Sequence, residues 1–597
     1  MNSMIVGKIF TGEDRFLIPG YQRGYSWEDK QINDFIRDIE AIKNGETHYT
    51  GMLTLKNLKD GRQEVVDGQQ RITTIVLAVS VILMRTKGDR VNAIKKDFIE
   101  SKFIKNSSGN ILSYDDIEED SFLQRTLNNE RPTNLKTMSV YRRNLINAQR
   151  ILDKNISKMS SKEVDIFFEN MTRGLMLHCF YMQSDRDSCA MFESINFRGI
   201  PLTKFEVLKN RLIIISYVLS PVDGGPLKIQ IQNSWKKAYK ALGASAKIID
   251  EDEFLRVHSS FYHGIGNDSV DAKVLNDAFS MERARSNNPI TNDELVKFIE
   301  SIDSCSLIYS WMINGSNSNT KLKPINDEIE KLRRVGFGNF EPLLLCAILK
   351  YSRNEVDQLE LIELIHQCER FVFILFGLAD NRSDHKKSEH HRFSNKLFLD
   401  EMSVSDISNA IHDYIGGVDG EYINIELSEI TNPIKKRFVG EGYFDKSWRK
   451  YLKYLLVEWE LSKGVKTNDI ESISIEHVFP QEPKEKSLDL YNNWSELGCA
   501  EVIINDLGNL CVVEHPINLE AGNKPFSEKK KIYERSTYIS DVKKKRKWDE
   551  AEIVRRGKLI IDFIWIRWDF PLNNDSRYDV GEFLSCNNKP KKKKKKP

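Results

Sequence analysis

Between residues 475 and 525 the chain gathers side chains whose types and order suit phosphodiester hydrolysis: Ile475-Glu476-His477-Val478-Phe479-Pro480, then Asn505-Asp506-Leu507-Gly508-Asn509-Leu510, then Asn518 and Asn523-Lys524. An acid and a distal asparagine can hold one hard cation while a neighbouring histidine takes the proton from water. That combination points to a nuclease. Near the other end, Ile18-Pro19-Gly20-Tyr21-Gln22-Arg23-Gly24-Tyr25-Ser26-Trp27 sets amide, guanidinium and aromatic groups around a proline-glycine turn, a grouping suited to a planar base and an anion. Val65-Val66-Asp67-Gly68-Gln69-Gln70-Arg71-Ile72-Thr73-Thr74 follows a strand signal, turns at glycine and opens a helix. Backbone N–H groups at a helix start attract phosphate, Arg71 offers a fork of donors, and Asp67 suits magnesium or an oriented water. The competing reading of this stretch is a capped structural turn.

The elements that must position these groups read as mixed α and β. Phe16-Leu17-Ile18 looks like a short strand ending at Pro19, and residues 49–55 and 64–66 look like two more. Apolar residues then recur at helical spacing over residues 134–219 and 226–416, so the middle of the chain reads as mostly helical. The run 72–84 falls short of the roughly eighteen apolar residues a spanning helix needs and reads as a buried helix, so no membrane insertion is expected. Loop-like breaks fall at 314–319 and 380–391, and Gly416-Gly417-Val418-Asp419-Gly420 marks a boundary before the last domain. The expected division is residues 1–215, a helical 216–420, a nuclease block 421–586 and a disordered lysine-rich tail 587–597.

Composition constrains the partners. A chain of 597 residues, 40% hydrophobic and 29% charged, is long enough for three or four globular domains. Lys+Arg 88 against Asp+Glu 87 leaves a net charge of +1, so a nucleic-acid surface must come from local segregation of charge. One segment shows it: Lys529, Lys530, Lys531, Lys543, Lys544, Lys545, Arg546 and Lys547, interleaved with Tyr533, Tyr538 and Trp548, directly follow the metal-site residues and are expected to contact DNA. The eight cysteines are scattered without a Cys-x-x-Cys pair and no charged-then-apolar leader opens the chain, which makes a reducing cytoplasm the expected setting.

Taken together, the motifs carry a resemblance. Ile18-Pro19-x-Tyr21-Gln22-Arg23-x-Tyr25-x-Trp27, Asp67-Gly68-Gln69-Gln70-Arg71-x-Thr73-Thr74, Phe192-Glu193-x-Ile195-Asn196-x-Arg198-Gly199-x-Pro201-Leu202 and Leu208-Lys209-Asn210 together resemble the N-terminal domain of the GmrSD-type modification-dependent restriction endonucleases. Glu476-His477-x-x-Pro480, Leu507-Gly508-Asn509-Leu510, Asn518, Asn523-Lys524-x-Phe526, Lys530, Trp548, Ile553 and Arg556 resemble the HNH-type nuclease block of the same family. The resemblance implies a ParB-like α+β domain that binds and hydrolyses a nucleoside triphosphate, most often GTP. It places Asp67, Gly68, Gln69, Gln70, Arg71 and Thr73 in the phosphate loop, with Tyr21, Gln22, Arg23, Asn196 and Arg198 around the same pocket. For the second domain it implies a ββα-metal site using Mg2+ or Mn2+, with His477 as general base, Glu476 as metal ligand, Asn509 orienting the histidine and Asn518 as second ligand. Asn523 with Lys524 is the alternative for the ligand and charge-stabilising roles.

Other eye-catching residues read blandly. Asp384-His385 and Glu389-His390-His391 have metal-ligand types, yet their polar setting favours a solvated loop. His515 before Pro516 suggests a structural or substrate-side role, and Phe563-Ile564-Trp565-Ile566-Arg567-Trp568 the core of a closing helix. The reading as a whole is an α+β, multidomain, nucleotide-regulated, metal-dependent DNA endonuclease of defence against foreign DNA, with self-association left open. Its rivals are a nucleotide-switched DNA-binding regulator with a degenerate nuclease block and an RNA nuclease of abortive infection.

Overall fold

The computed structural model describes residues 2–43, 45–85, 90–130, 138–182, 203–220, 225–244, 249–266, 269–315, 320–416, 427–436, 448–466, 470, 472–483, 488–496 and 499–570. The chain divides into two compact units, residues 1–318 and 319–597. The architecture is α+β and multidomain, with helices predominating.

The first unit is built on a mixed six-stranded sheet of β1 (Asn2–Ile5), β2 (Phe16–Ile18), β3 (His48–Asn57), β4 (Gln63–Asp67), β7 (Leu112–Tyr114) and β8 (Leu175–Met182), in the order β1-β8-β3-β4-β2-β7; a separate small hairpin pairs β5 (Lys105–Asn106) with β6 (Gly109–Asn110). β1 with β8 and β3 with β4 run antiparallel; the other neighbours are parallel. All three residues of β2 are buried between two parallel partners, which is why Phe16-Leu17-Ile18 is apolar without alternation. β4 leads through Gly68, at φ +94°, into the helix Gln69–Arg85, where every residue from Ile72 to Leu83 is buried. A helix apolar on all sides belongs at the centre of a core, and its burial fixes where its first turn, Gln69-Gln70-Arg71, must stand. The helix Lys204–Leu219 starts at a capping box in which Thr203 and Glu206 exchange backbone N–H bonds at 3.1 Å. Trp235, from the helix Gly225–Leu242, stacks on Phe205 at 4.9 Å and donates its indole N–H to the Phe205 carbonyl.

The second unit is helical around a two-stranded antiparallel ribbon of β9 (Ile473–His477) and β10 (Leu510–Glu514). Its closing helix, Glu550–Arg567, buries Ile560, Ile561, Ile564 and Trp565, and Trp568 just beyond it stacks on Phe373 at 3.9 Å, as a core-forming end requires. Buried Glu369 accepts from Tyr454 Oη (2.5 Å), Arg567 Nη2 (2.9 Å) and Trp568 Nε1 (2.9 Å), tying that end to the helix Gln358–Phe371. The expected solvated loop at 380–391 holds for residues 380–386, which are turn and irregular backbone with 380 and 382–384 exposed, and needs correction from Lys387 onward. His390 and His391 lie in the helix Lys387–Phe398 and are buried; His390 stacks on Phe340 at 4.0 Å and bonds Asn339 Oδ1 at 2.5 Å. Burial holds the His390 imidazole well below its usual range, so it is a neutral core histidine.

Candidate active site and nucleotide loop

Glu476 and His477 close β9. Register pairs them with Cys511 and Leu510 of β10, and the segment just before β10 returns alongside them, with Val478 N–H donating to Asn509 O at 3.0 Å. The helix His515–Ala521 then folds back so that Asn518 Nδ2 donates to Ile475 O at 2.8 Å, which sets the Asn518 amide against the Ile475–Glu476 peptide. Strand, strand and returning helix therefore place Glu476, His477 and Asn518 on adjoining backbone segments, with Asn518 held to the peptide that precedes the acid. His477 is 5% exposed and its Nε2 lies 3.0 Å from Asn505 Oδ1. Burial pulls the imidazole down to about 4, against the smaller opposing effect of the Asn505 bond, so at neutral pH the ring is uncharged. With Nε2–H donating to Asn505 Oδ1, the basic lone pair falls on Nδ1.

Asn509, expected to orient His477, has another task. Its Oδ1 accepts from Phe479 N (2.7 Å) and Trp548 Nε1 (2.9 Å), and its Nδ2 donates to Phe479 O (3.0 Å) and Ile504 O (2.7 Å). It clamps the chain on either side of the ribbon, while Asn505, four residues earlier, is the residue that holds His477. Both asparagines stood in one motif; only their backbone context separates their roles. Asn523 bonds Glu482 Oε2 at 3.3 Å and Lys524 Nζ turns to the Glu520 carbonyl, so neither is directed to Glu476 by a bond of its own.

Lys529, expected on a DNA-binding surface, is corrected to a buried position: 1% exposed, with Nζ 2.7 Å from Glu476 Oε1 and 2.6 Å from His477 O. Tyr533 Oη donates to the same Oε1 at 2.8 Å, and no donor among the described residues reaches Oε2. Lys530 Nζ donates to Lys545 O at 2.8 Å, Lys543 Nζ to Ser536 O, and Lys545 pairs with Glu552 at 3.0 Å, so these three are also spent on their own fold. Exposed cations remain at Lys531, Lys544, Arg546 and Lys547, the last paired with Asp549 at 2.6 Å. His515, exposed, bonds Ser474 Oγ at 2.9 Å, a structural contact at the helix start.

In the first unit the two N-terminal motifs meet. Gln22 Nε2 donates to Val65 O and Val66 O at 2.8 Å each; Gln69 Nε2 donates to Arg23 O at 3.0 Å; Gln70 receives Ser26 N–H at 2.9 Å and donates to Gly24 O at 3.2 Å. The paired glutamines thus clasp the 22–26 loop onto the start of the helix. Thr73 is fully buried, which corrects its place in the phosphate loop; Asn196 and Arg198 lie outside the described residues. Arg71 Nη1 donates to Met52 O at 3.2 Å, and the guanidinium enters no ion pair among the described residues. Asp67 beside it is raised above the usual carboxylate range by burial, with Arg71 opposing.

The same loop is held from the other side. Arg23 pairs with buried Glu206 at 3.4 Å, Lys209 Nζ donates to Tyr21 O at 3.3 Å, and Tyr141 Oη donates to Glu251 Oε1 at 3.0 Å. Burial first, then the neighbouring Glu206 charge, pushes Glu251 up to about 7, with Arg23 opposing. Between its ordinary value and 7 the folded chain therefore holds a proton that the unfolded chain has lost. The stability this confers is full below the ordinary value and is lost as pH rises to 7 and above, on the order of 3 kcal/mol. Glu251→Gln should flatten the melting temperature between pH 5 and pH 8 relative to wild type; parallel profiles would rule out Glu251 as the source.

These units define a multidomain α+β protein with a strand-glycine-helix loop in one part and an acid-histidine ribbon in the other. Two family models match it: the N-terminal domain of the GmrSD restriction endonuclease over residues 6–213, and the C-terminal domain of GmrSD restriction endonucleases over residues 430–563. The chain belongs to the GmrSD family of restriction endonucleases, which act on DNA. No curated protein matches it in sequence. Among the described residues no helix is long and apolar enough to cross a membrane.

Proposed function

We propose that this restriction endonuclease cuts DNA at an HNH-type centre in the second unit, using a divalent metal, under the control of a nucleoside triphosphate, GTP first among them, bound by the first. The observation that carries the nuclease reading is the return of Asn518 onto the Ile475–Glu476 peptide beside a neutral His477. The donor set suits a hard ion: with Nδ2 committed to Ile475 O, Asn518 has its Oδ1 left, and Glu476 has Oε2 left. Mg2+ or Mn2+ held there would neutralise charge building on the phosphodiester when bound. His477 accepts the proton of the attacking water at Nδ1, and Asn505 keeps that nitrogen basic by engaging Nε2. Modified or otherwise foreign DNA is the proposed target in anti-phage restriction. Incubating the full chain with Mg2+ and plasmid, modified phage DNA or RNA, each with and without GTP, tests this. Cutting of DNA that responds to GTP supports it; RNA-only cutting, or none, overturns it.

The nucleotide reading rests on Arg71, whose guanidinium enters no ion pair at the start of a buried helix, next to Asp67. Arg71→Ala is expected to weaken GTP binding at least tenfold, on the order of 1.4 kcal/mol or more, as read by calorimetry with the full chain. Unchanged affinity would move the nucleotide elsewhere.

A further inference from the structure

Glu476 is not a bare carboxylate waiting for a cation. A lysine ammonium already sits on it, and that lysine is buried, as is the tyrosine that shares the same oxygen: Lys529 is 1% exposed and Tyr533 0%. Both bonds fall on Oε1, and the ammonium has a second bond, to the carbonyl of His477, so one side chain ties the acid to the backbone of the neighbouring base. The helix Phe526–Tyr533 carries Lys529 and Tyr533 four residues apart, which places both on one face toward β9. Such an arrangement does two things to a bound divalent ion. It fixes the carboxylate rotation and occupies Oε1, so that Oε2 would be the oxygen left to hold an ion, and it sets a unit positive charge beside the ligand, which would lower that ligand's attraction for a second cation.

We propose that Lys529 is a tethered counter-ion that makes Glu476 a one-oxygen, deliberately weak metal ligand, with Tyr533 as its helper. Lys529 and Tyr533 are positioning residues: buried, they act on the metal through Glu476 and do not touch DNA. The inference rests on the nuclease reading above and adds that metal occupancy of this site is set low by the protein's own lysine. A weakly held ion loads fully only where its concentration is high, or where DNA phosphate completes its shell.

Mn2+ titration of the full chain, followed by electron paramagnetic resonance in the absence of DNA, tests this independently of cutting. Glu476→Ala first shows that the signal belongs to this site. Tyr533→Phe, which removes one donor and nearly no volume, is expected to tighten Mn2+ binding about two- to fivefold. Lys529→Met, which removes the charge, is expected to tighten it tenfold or more and to slow cleavage because the acid is no longer held. Should the methionine variant fail to fold, Tyr533→Phe alone decides. If Glu476→Ala abolishes Mn2+ binding while Tyr533→Phe and any folded Lys529→Met bind as wild type or more weakly, the counter-ion proposal is wrong and the nuclease reading stands. If Glu476→Ala changes nothing, the metal site is misplaced and both fall.

Discussion

His477→Ala is expected to lower DNA cleavage by on the order of 10²–10⁴-fold, the range associated with removing a general base. The nucleotide binding proposed for the first unit should be unchanged, because the histidine lies in the second. The effect should be large because no described neighbour offers a substitute: Lys529 is committed to Glu476 and His477 O, and Asn505 has no basic nitrogen. The pH profile gives a second readout. With the imidazole pulled down to about 4, wild-type cutting should stay level from neutral pH to about 5 and fall only as pH drops through about 4. Folding responds over a wider window. The unfolded chain takes up this proton at the ordinary histidine value and the folded chain only near 4, so the contribution to stability is full above the ordinary value and lost as pH falls toward 4. Cleavage by His477→Ala at the wild-type rate would remove the residue from the mechanism.

The parts of this fold that were legible in the sequence are those with local causes. Phe16-Leu17-Ile18 ending at proline, residues 49–55 and residues 64–66 became β2, β3 and β4, and the apolar run 72–84 became the buried centre of the helix Gln69–Arg85. β8 escaped because Leu175–Met182 is almost wholly apolar in sequence and directly follows a helix, so no period-two alternation marks it as a strand, and its identity depends on parallel pairing with β3, far away in sequence. The buried histidines near residue 390 escaped for a similar reason: nothing local announces that Phe340 and Asn339 will cover them. At the candidate site, residue order marked Glu476, His477 and Asn518 as one set, and the resemblance gave Asn509 as the residue that orients the histidine, whereas in the structure Asn505 bonds His477. Asn505 and Asn509 are chemically identical, and the choice is made by Trp548 and the Phe479 backbone occupying Asn509. Lys529 looked like one more cation in a basic stretch. Its helix turns it inward, and only a three-dimensional view shows that its charge is already matched by Glu476.

Gly508→Ala is expected to destabilise the second unit by about 3 kcal/mol or more, at or above the upper end of ordinary overpacking. The reason is a backbone-to-backbone contact that no rotamer can relieve. A methyl group at position 508 would lie 1.8 Å from the carbonyl oxygen of Ile553 and 2.8 Å from Gly557 N, both in the helix Glu550–Arg567. To admit it, that helix must move off the 507–510 segment, and Arg556 must move with it. The Arg556 guanidinium, buried, donates to Gly508 O at 3.1 Å and Leu510 O at 2.6 Å while pairing with Asp541 at 2.9 Å. Its withdrawal would strip both carbonyls at the start of β10 and loosen the ribbon that carries Glu476 and His477. Gly464→Ala is the comparison that isolates this cause. Gly464 has φ +82° but nothing within 4 Å of an added methyl group, so only backbone strain of about 1–2 kcal/mol applies. Denaturant unfolding of the full chain should therefore show the second unit's transition shifted far more by Gly508→Ala than by Gly464→Ala, with cleavage lost in the first and nucleotide binding kept in both. A Gly508→Ala protein that unfolds with Gly464→Ala would mean that helix and loop can separate freely, and the Leu507-Gly508-Asn509-Leu510 segment would then owe its glycine to something other than close packing.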